Sequence, residues 1–144
     1  MTGTLHHVEL WVPDLERAIA EWGWLLGRLG YEQFQDWDRG RSWRLAGTYI
    51  VVEQSPAMTG AGHDRLRPGL NHLAFHAGSR DDVDTITAAA PEHGWTLLFP
   101  DRHPHAGGPS TTPPTWRTPT PSKPNSSPPT RSAQAKPRTT TVRV

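Results

Sequence analysis

Leu5-His6-His7-Val8-Glu9-Leu10-Trp11-Val12 and, 65 positions further on, Leu70-Asn71-His72-Leu73-Ala74-Phe75-His76-Ala77 are the stretches of this 144-residue chain that decide its fold. In the first, His6, Val8, Leu10 and Val12 alternate with His7, Glu9 and Trp11, the period of a half-buried strand with one apolar face. The same offset carries Asp14 onto Ser79, each placed to cap a helix, and Gly30-Tyr31 matches Gly94-Trp95 within one residue. Self-similarity on this scale predicts duplicated supersecondary modules.

Each copy can be extended outward from its strand. Pro13-Asp14 ends the first strand and caps a helix whose apolar positions Leu15, Ala18, Ile19, Trp22, Leu26 and Leu29 recur at three- and four-residue spacing until Gly30 stops it. Three short strands follow, over Tyr31 to Trp37, Ser42 to Ala46 and Thr48 to Gln54, turned at Asp38-Arg39-Gly40 and at Gly47. The first copy is therefore β-α-β-β-β. In the second, Leu70 to Ala77 is a strand, and Ser79-Arg80-Asp81-Asp82 forms a capping box with a carboxylate in place of the usual Glu. The helix runs through Val83, Ile86 and Ala90, Pro91 ends its regular part before Gly94, and Trp95 to Phe99 is a strand. Two more strands are due after Pro100, and the sequence supplies no pattern for them.

Composition changes at the same place. Residues 1–101 hold all fourteen acidic residues against eight basic ones, a net of −6, whereas residues 102–144 hold seven basic residues, no acid and ten of the fifteen prolines. The front reads as one mildly acidic domain, residues 1–101, with modules 4–54 and 69–101. The back, residues 102–144, has too few large aliphatic side chains to offset the entropy of ordering and reads as a disordered Pro/Thr/Ser-rich tail. Absence of Cys excludes disulfides, zinc-thiolate sites and thiol nucleophiles, so any metal sits on His, Asp, Glu or water. With no apolar run of 18 residues and no secretion-signal layout, a cytoplasmic protein with neither membrane nor nucleic-acid partner is expected. A genuine tail of this composition would instead suit proline-binding domains or serve as a basic arm.

Leu5-His6-His7-Val8-Glu9-Leu10, Asp14-Leu15-Glu16-Arg17-Ala18, Leu25-Leu26-Gly27, Gly30-Tyr31 and Gly69-Leu70-Asn71-His72-Leu73-Ala74-Phe75 resemble the vicinal oxygen chelate superfamily over roughly residues 4 to 108. That superfamily includes glyoxalase I, extradiol dioxygenases, and fosfomycin- and bleomycin-resistance proteins. The resemblance implies an α+β fold of paired βαβββ modules forming a cupped sheet, here truncated in the second module. It further implies a divalent metal (Mn, Fe, Ni, Co or Zn) on His7, His72 and Glu53, with Glu53 as ligand, catalytic base or both. The small-molecule substrate would carry vicinal oxygens and undergo a lyase, isomerase or dioxygenase reaction. Intact relatives are expected to be homodimers. The alternative within the same resemblance is a metal-free, bleomycin-resistance-like protein that holds its ligand in an aromatic groove.

The residues support this ligand set on their own terms. His7 and His72 occupy equivalent points of a duplicated strand, so a pseudo-twofold axis would bring both imidazoles to one centre. Alternation places Tyr49, Val51 and Glu53 on a common face. Two imidazoles and a carboxylate suit several divalent transition metals. His6 is expected on the face opposite His7, and His76 on the face of His72. His63, His103 and His105 read as solvated loop residues. Trp22 and Trp24 read as helix packing, and Trp11, Trp37 and Trp43 are candidates for an aromatic pocket. Arg39 to Arg44 reads as a solvated hairpin.

The tail has a possible origin in the genetic code. Thr codons begin AC, Pro codons CC, and Trp is TGG, so a shifted frame from Ser110 is tightly limited. One permitted reading, chosen with the family pattern in hand, supplies a strand, an Asn/Asp turn and a closing strand ending in Glu-Leu-Val. A frameshift between Gly107 and Ser110 is therefore expected, with the closing ligand Glu encoded across the codons of Pro124 and Asn125. Its absence would leave the metal weakly held and the strand at Trp95 to Phe99 with an unpaired edge.

Overall fold

A computed structural model describes residues 2–60, 62–98, 116–117 and 141–143. The chain forms two compact units, Met1–Asp64 and Arg65–Val144.

In the first unit, β1 (His7–Trp11), α1 (Leu15–Arg28), β2 (Glu32–Trp37), β3 (Gly40–Leu45) and β4 (Thr48–Glu53) realise the β-α-β-β-β order. Local chemistry sets both ends of α1. The Asp14 carboxylate accepts the Arg17 N–H at 3.0 Å, and Gly30, at φ +85°, lets the Tyr31 N–H return to the Leu26 carbonyl. The strands form one sheet in the order β1-β4-β3-β2, with β1 parallel to β4 and the remaining pairs antiparallel.

Helix α1 covers one face of this sheet. Leu25, Leu26 and Val52 are fully buried, with Trp22, Trp43 and Ile50 close behind. Complete burial of each large aliphatic side chain is worth about 1.5–3 kcal/mol. Gly23 permits the approach, because a Cβ there would lie 3.3 Å from the Trp43 ring. Trp43 thus belongs to the core on the helix side and does not join Trp11 and Trp37 in lining a pocket, as had been expected of all three.

In the second unit, β5 (Ala74–His76) and β6 (Thr96–Leu97) flank α2 (Arg80–Ala89) and a 3-10 turn (Ala90–His93). Ser79 caps α2 through the expected box: its Oγ accepts the Asp82 N–H at 3.2 Å, while its N–H donates to Asp82 Oδ2 at 2.7 Å. Pro91 opens the 3-10 turn, and Gly94 ends it at φ 84°. Val83, Ile86, Ala90 and Trp95 make the core of this unit.

Both strands are shorter than the periodicity predicts. β5 spans Ala74–His76 and not Leu70 to Ala77, so His72 lies ahead of the strand. β6 spans Thr96–Leu97, and Phe99 is outside the described residues. The strand expected to have an unpaired edge has one partner among the described residues. β6 pairs antiparallel with β7 (Trp116–Arg117), and β5 pairs with β8 (Thr141–Arg143). The rest of the expected disordered tail, with His103, His105, Pro124 and Asn125, lies outside the described residues. Among the described residues, no helix is long and apolar enough to cross a membrane.

Candidate functional site

The face of the first sheet away from α1 can be assigned strand by strand from the register. His7 is level with Tyr49 and Arg44; Glu9 with Val51 and Ser42; Trp11 with Glu53, Gly40 and Trp37. Neighbouring residues at one level point the same way, so all of these share the open face. Between Gln33 and Gln35 the β2/β3 register slips, a bulge that carries Phe34 onto this face as well. Trp11, Phe34 and Trp37 remain 49%, 44% and 37% exposed.

At one end of the face the rings form a row. His7 stacks on Tyr49 at 4.9 Å with 8° between planes, and Phe34 meets Tyr49 edge-on at 5.6 Å. His6 also joins this row, contrary to expectation: its Nδ1 is 3.0 Å from His7 Nδ1, and its ring meets Tyr49 edge-on. Alternation does not govern His6, because the strand begins only at His7. At the other end, Trp11 donates its indole N–H to Glu9 Oε1 at 2.8 Å, and the Trp37 ring fills the space a side chain at Gly40 would take.

Glu53 belongs to this second end. It is level with Trp11, four residues from the level of His7. At roughly 3.3 Å per residue the two Cα atoms are about 13 Å apart along the strands. The residue that the fold brings to His7 from β4 is Tyr49, and Glu53 is not brought there. Among the described residues, no group of three or more His, Cys, Asp or Glu side chains is gathered closely enough to hold a metal ion.

Each of the two histidines nevertheless has its Nδ1 engaged by the side chain of the residue before it, within its own unit. His72 Nδ1 lies 2.9 Å from Asn71 Oδ1, and the Asn71 amide is held in that orientation by donating to the Arg65 carbonyl at 2.8 Å. A carbonyl oxygen only accepts, so His72 Nδ1 carries the proton and Nε2 carries the lone pair. His7 has its Nδ1 engaged by His6 in the corresponding way. Either ring of the His6–His7 pair can be the donor, and only with His6 accepting does a neutral His7 present an Nε2 lone pair to a ligand. Each imidazole is of a donor type that divalent transition metals accept, and Glu53 lies four residues from the level of His7. The position before each histidine was not singled out from the sequence. Its signal was available, since His6 and Asn71 align in the repeat.

Comparisons with known proteins agree on one group. Residues 6–112 match the family model of the Glyoxalase/Bleomycin resistance protein/Dioxygenase superfamily. The uncharacterized protein YqjT of Bacillus subtilis (strain 168) is 46% identical over 106 residues, covering 72% of this chain and 82% of that protein. A solved structure from Bacillus halodurans, described as a candidate glyoxalase, shares 51% identity with a TM-score of 0.71, covering 75% of this chain and 82% of that one. A glyoxalase/bleomycin resistance protein from Albidiferax ferrireducens T118, at 24% identity and a TM-score of 0.53, covers 65% of this chain and 74% of that one, a likeness of fold alone.

Proposed function

The chain belongs to the glyoxalase/bleomycin resistance protein/dioxygenase superfamily, and from that premise we propose that it binds a small molecule with two adjacent oxygens on the open face of its first sheet. In this reading His7 and His72 hold a divalent cation (Mn, Fe, Co, Ni or Zn), and the bound molecule undergoes a lyase-, isomerase- or dioxygenase-type reaction. The observation that carries the reading is the matched engagement of the two imidazoles: each has its Nδ1 in contact with the side chain of the residue before it, so that Nε2 is the nitrogen left to face a ligand. A bound cation would supply Lewis-acid polarisation of the two oxygens.

The remaining work falls to the chain's own side chains. His6 and the stacked Tyr49 ring hold the plane of His7. Glu53, four residues from the level of His7, moves a proton at the far end of a bound molecule in this reading. The exposed rings of Trp11, Phe34 and Trp37 provide apolar surface that excludes water from a flat ligand. Residues 102–144 contain no Asp or Glu, so no carboxylate from that region completes the set and the cation is held weakly.

Titration of Mn, Ni, Fe or Zn into the protein and into His7→Ala and His72→Ala tests the reading. Uptake by the wild type that falls at least about tenfold in each variant is expected, since a lost ligand costs both charge and a coordination position. Equal uptake by all three removes it. A second reading, a metal-free protein that sequesters its ligand, is favoured by the three exposed rings on the open face. It predicts that an aromatic ligand quenches tryptophan fluorescence equally well after chelator treatment.

A further inference from the structure

Arg44 stands apart from the other guanidinium groups of the sheet. Arg41, three residues earlier, is spent on Asp36 Oδ1 at 2.8 Å and Gln33 Oε1 at 3.4 Å. Arg44 has no carboxylate partner among the described residues, although Glu32 is level with it on β2. Its guanidinium carbon lies 4.4 Å over the Phe34 ring, whose edge meets Tyr49. The ring face shields one side of the guanidinium, and Arg44 is otherwise exposed.

A charged fork shielded in this way, without an internal counter-ion, matches a carboxylate in two parallel hydrogen bonds. Arg44, Tyr49 and His7 are level on three successive strands, so the Cα atoms of the outer two are about 10 Å apart at the usual strand spacing. We propose that Arg44 determines ligand class: the open face takes a flat molecule that lies across the row of rings at Tyr49, presents adjacent oxygens toward His7 and places a carboxylate on Arg44. This rests on the reading of the open face given above, but it does not require the cation.

The test uses the full chain and two probes that differ by one group, catechol and 2,3-dihydroxybenzoate, with tryptophan fluorescence as readout. The wild type is expected to bind the carboxylated probe at least about tenfold more tightly, the range of a charge-assisted bond. Arg44→Gln is expected to abolish the preference and leave catechol binding within about twofold, since only the anion contact is removed. Arg44→Lys keeps the charge but not the fork, and should restore part of the preference. Equal binding of the two probes, failure of both to bind, or a preference that survives in Arg44→Gln would overturn the proposal. Repeating the measurement with and without Mn separates the two readings. A preference that depends on Arg44 without metal uptake leaves the Arg44 assignment standing and removes the metal site.

Discussion

At His7 Nδ1 the partner is His6, and at His72 Nδ1 it is Asn71, so the residue before each histidine holds its ring. Such partners typically tune metal affinity by about 10- to 100-fold. His6→Ala and Asn71→Ala are therefore expected to weaken metal uptake by that factor with the fold retained, read by metal titration alongside circular dichroism. Asp82 makes a different residue-scale prediction. Its carboxyl is held below the ordinary 3.8, first by the Ser79 hydroxyl and then by the Ser79 backbone N–H. A lowered folded pKa means that the contribution is present above the ordinary value and is lost as pH falls through the lowered one. Ser79→Ala is expected to cost about 1 kcal/mol at neutral pH. It should also return the Asp82 titration, followed by NMR, toward the ordinary value. This cap was legible in the sequence because it depends on residues only three apart. The His6 contact was not, because it depends on where hydrogen bonding starts β1.

Among the elements, the β3–β4 hairpin carries visible strain. Ala46 adopts φ 51°, a left-handed conformation that costs a residue with a Cβ roughly 1–2 kcal/mol. Ala46→Gly relieves it, and after the added entropy of Gly in the unfolded chain a net gain of about 0.5–1 kcal/mol is expected in urea denaturation. The close approach of α1 to β3 predicts the opposite sign. Gly23→Val drives a branched side chain into the buried Trp43 ring and should cost about 1–3 kcal/mol in the same measurement. The sequence placed these elements within a residue or two, since apolar period and turn residues are local signals. It did not place Trp43 on the helix side or Phe34 on the open face. The first follows from the register between β3 and its neighbours, and the second from a bulge, neither of which has a signature in a six-residue strand.

For the whole molecule, the chain divides into units Met1–Asp64 and Arg65–Val144, and among the described residues of the C-terminal region β7 and β8 pair with β6 and β5. The out-of-frame origin proposed for residues 102–144 predicts that the gene, read in the shifted frame from Ser110, stays open past Pro128 and encodes a strand pair with a closing Glu. A stop codon before that point, or a reading without strand periodicity, refutes it. A chain with that frame restored is expected to take up metal more tightly than this one, because it regains a carboxylate where residues 102–144 have none.

By itself the sequence determined the duplication, the capped helices and the family, because each is written in spacings of a few residues or in a comparison of one stretch with another. Only the tertiary structure decided which side chains meet: Tyr49, not Glu53, at His7, His6 beside it, and Arg44 over Phe34. Those meetings depend on strand register, and register is fixed by backbone hydrogen bonds between segments some forty residues apart, which no local pattern specifies.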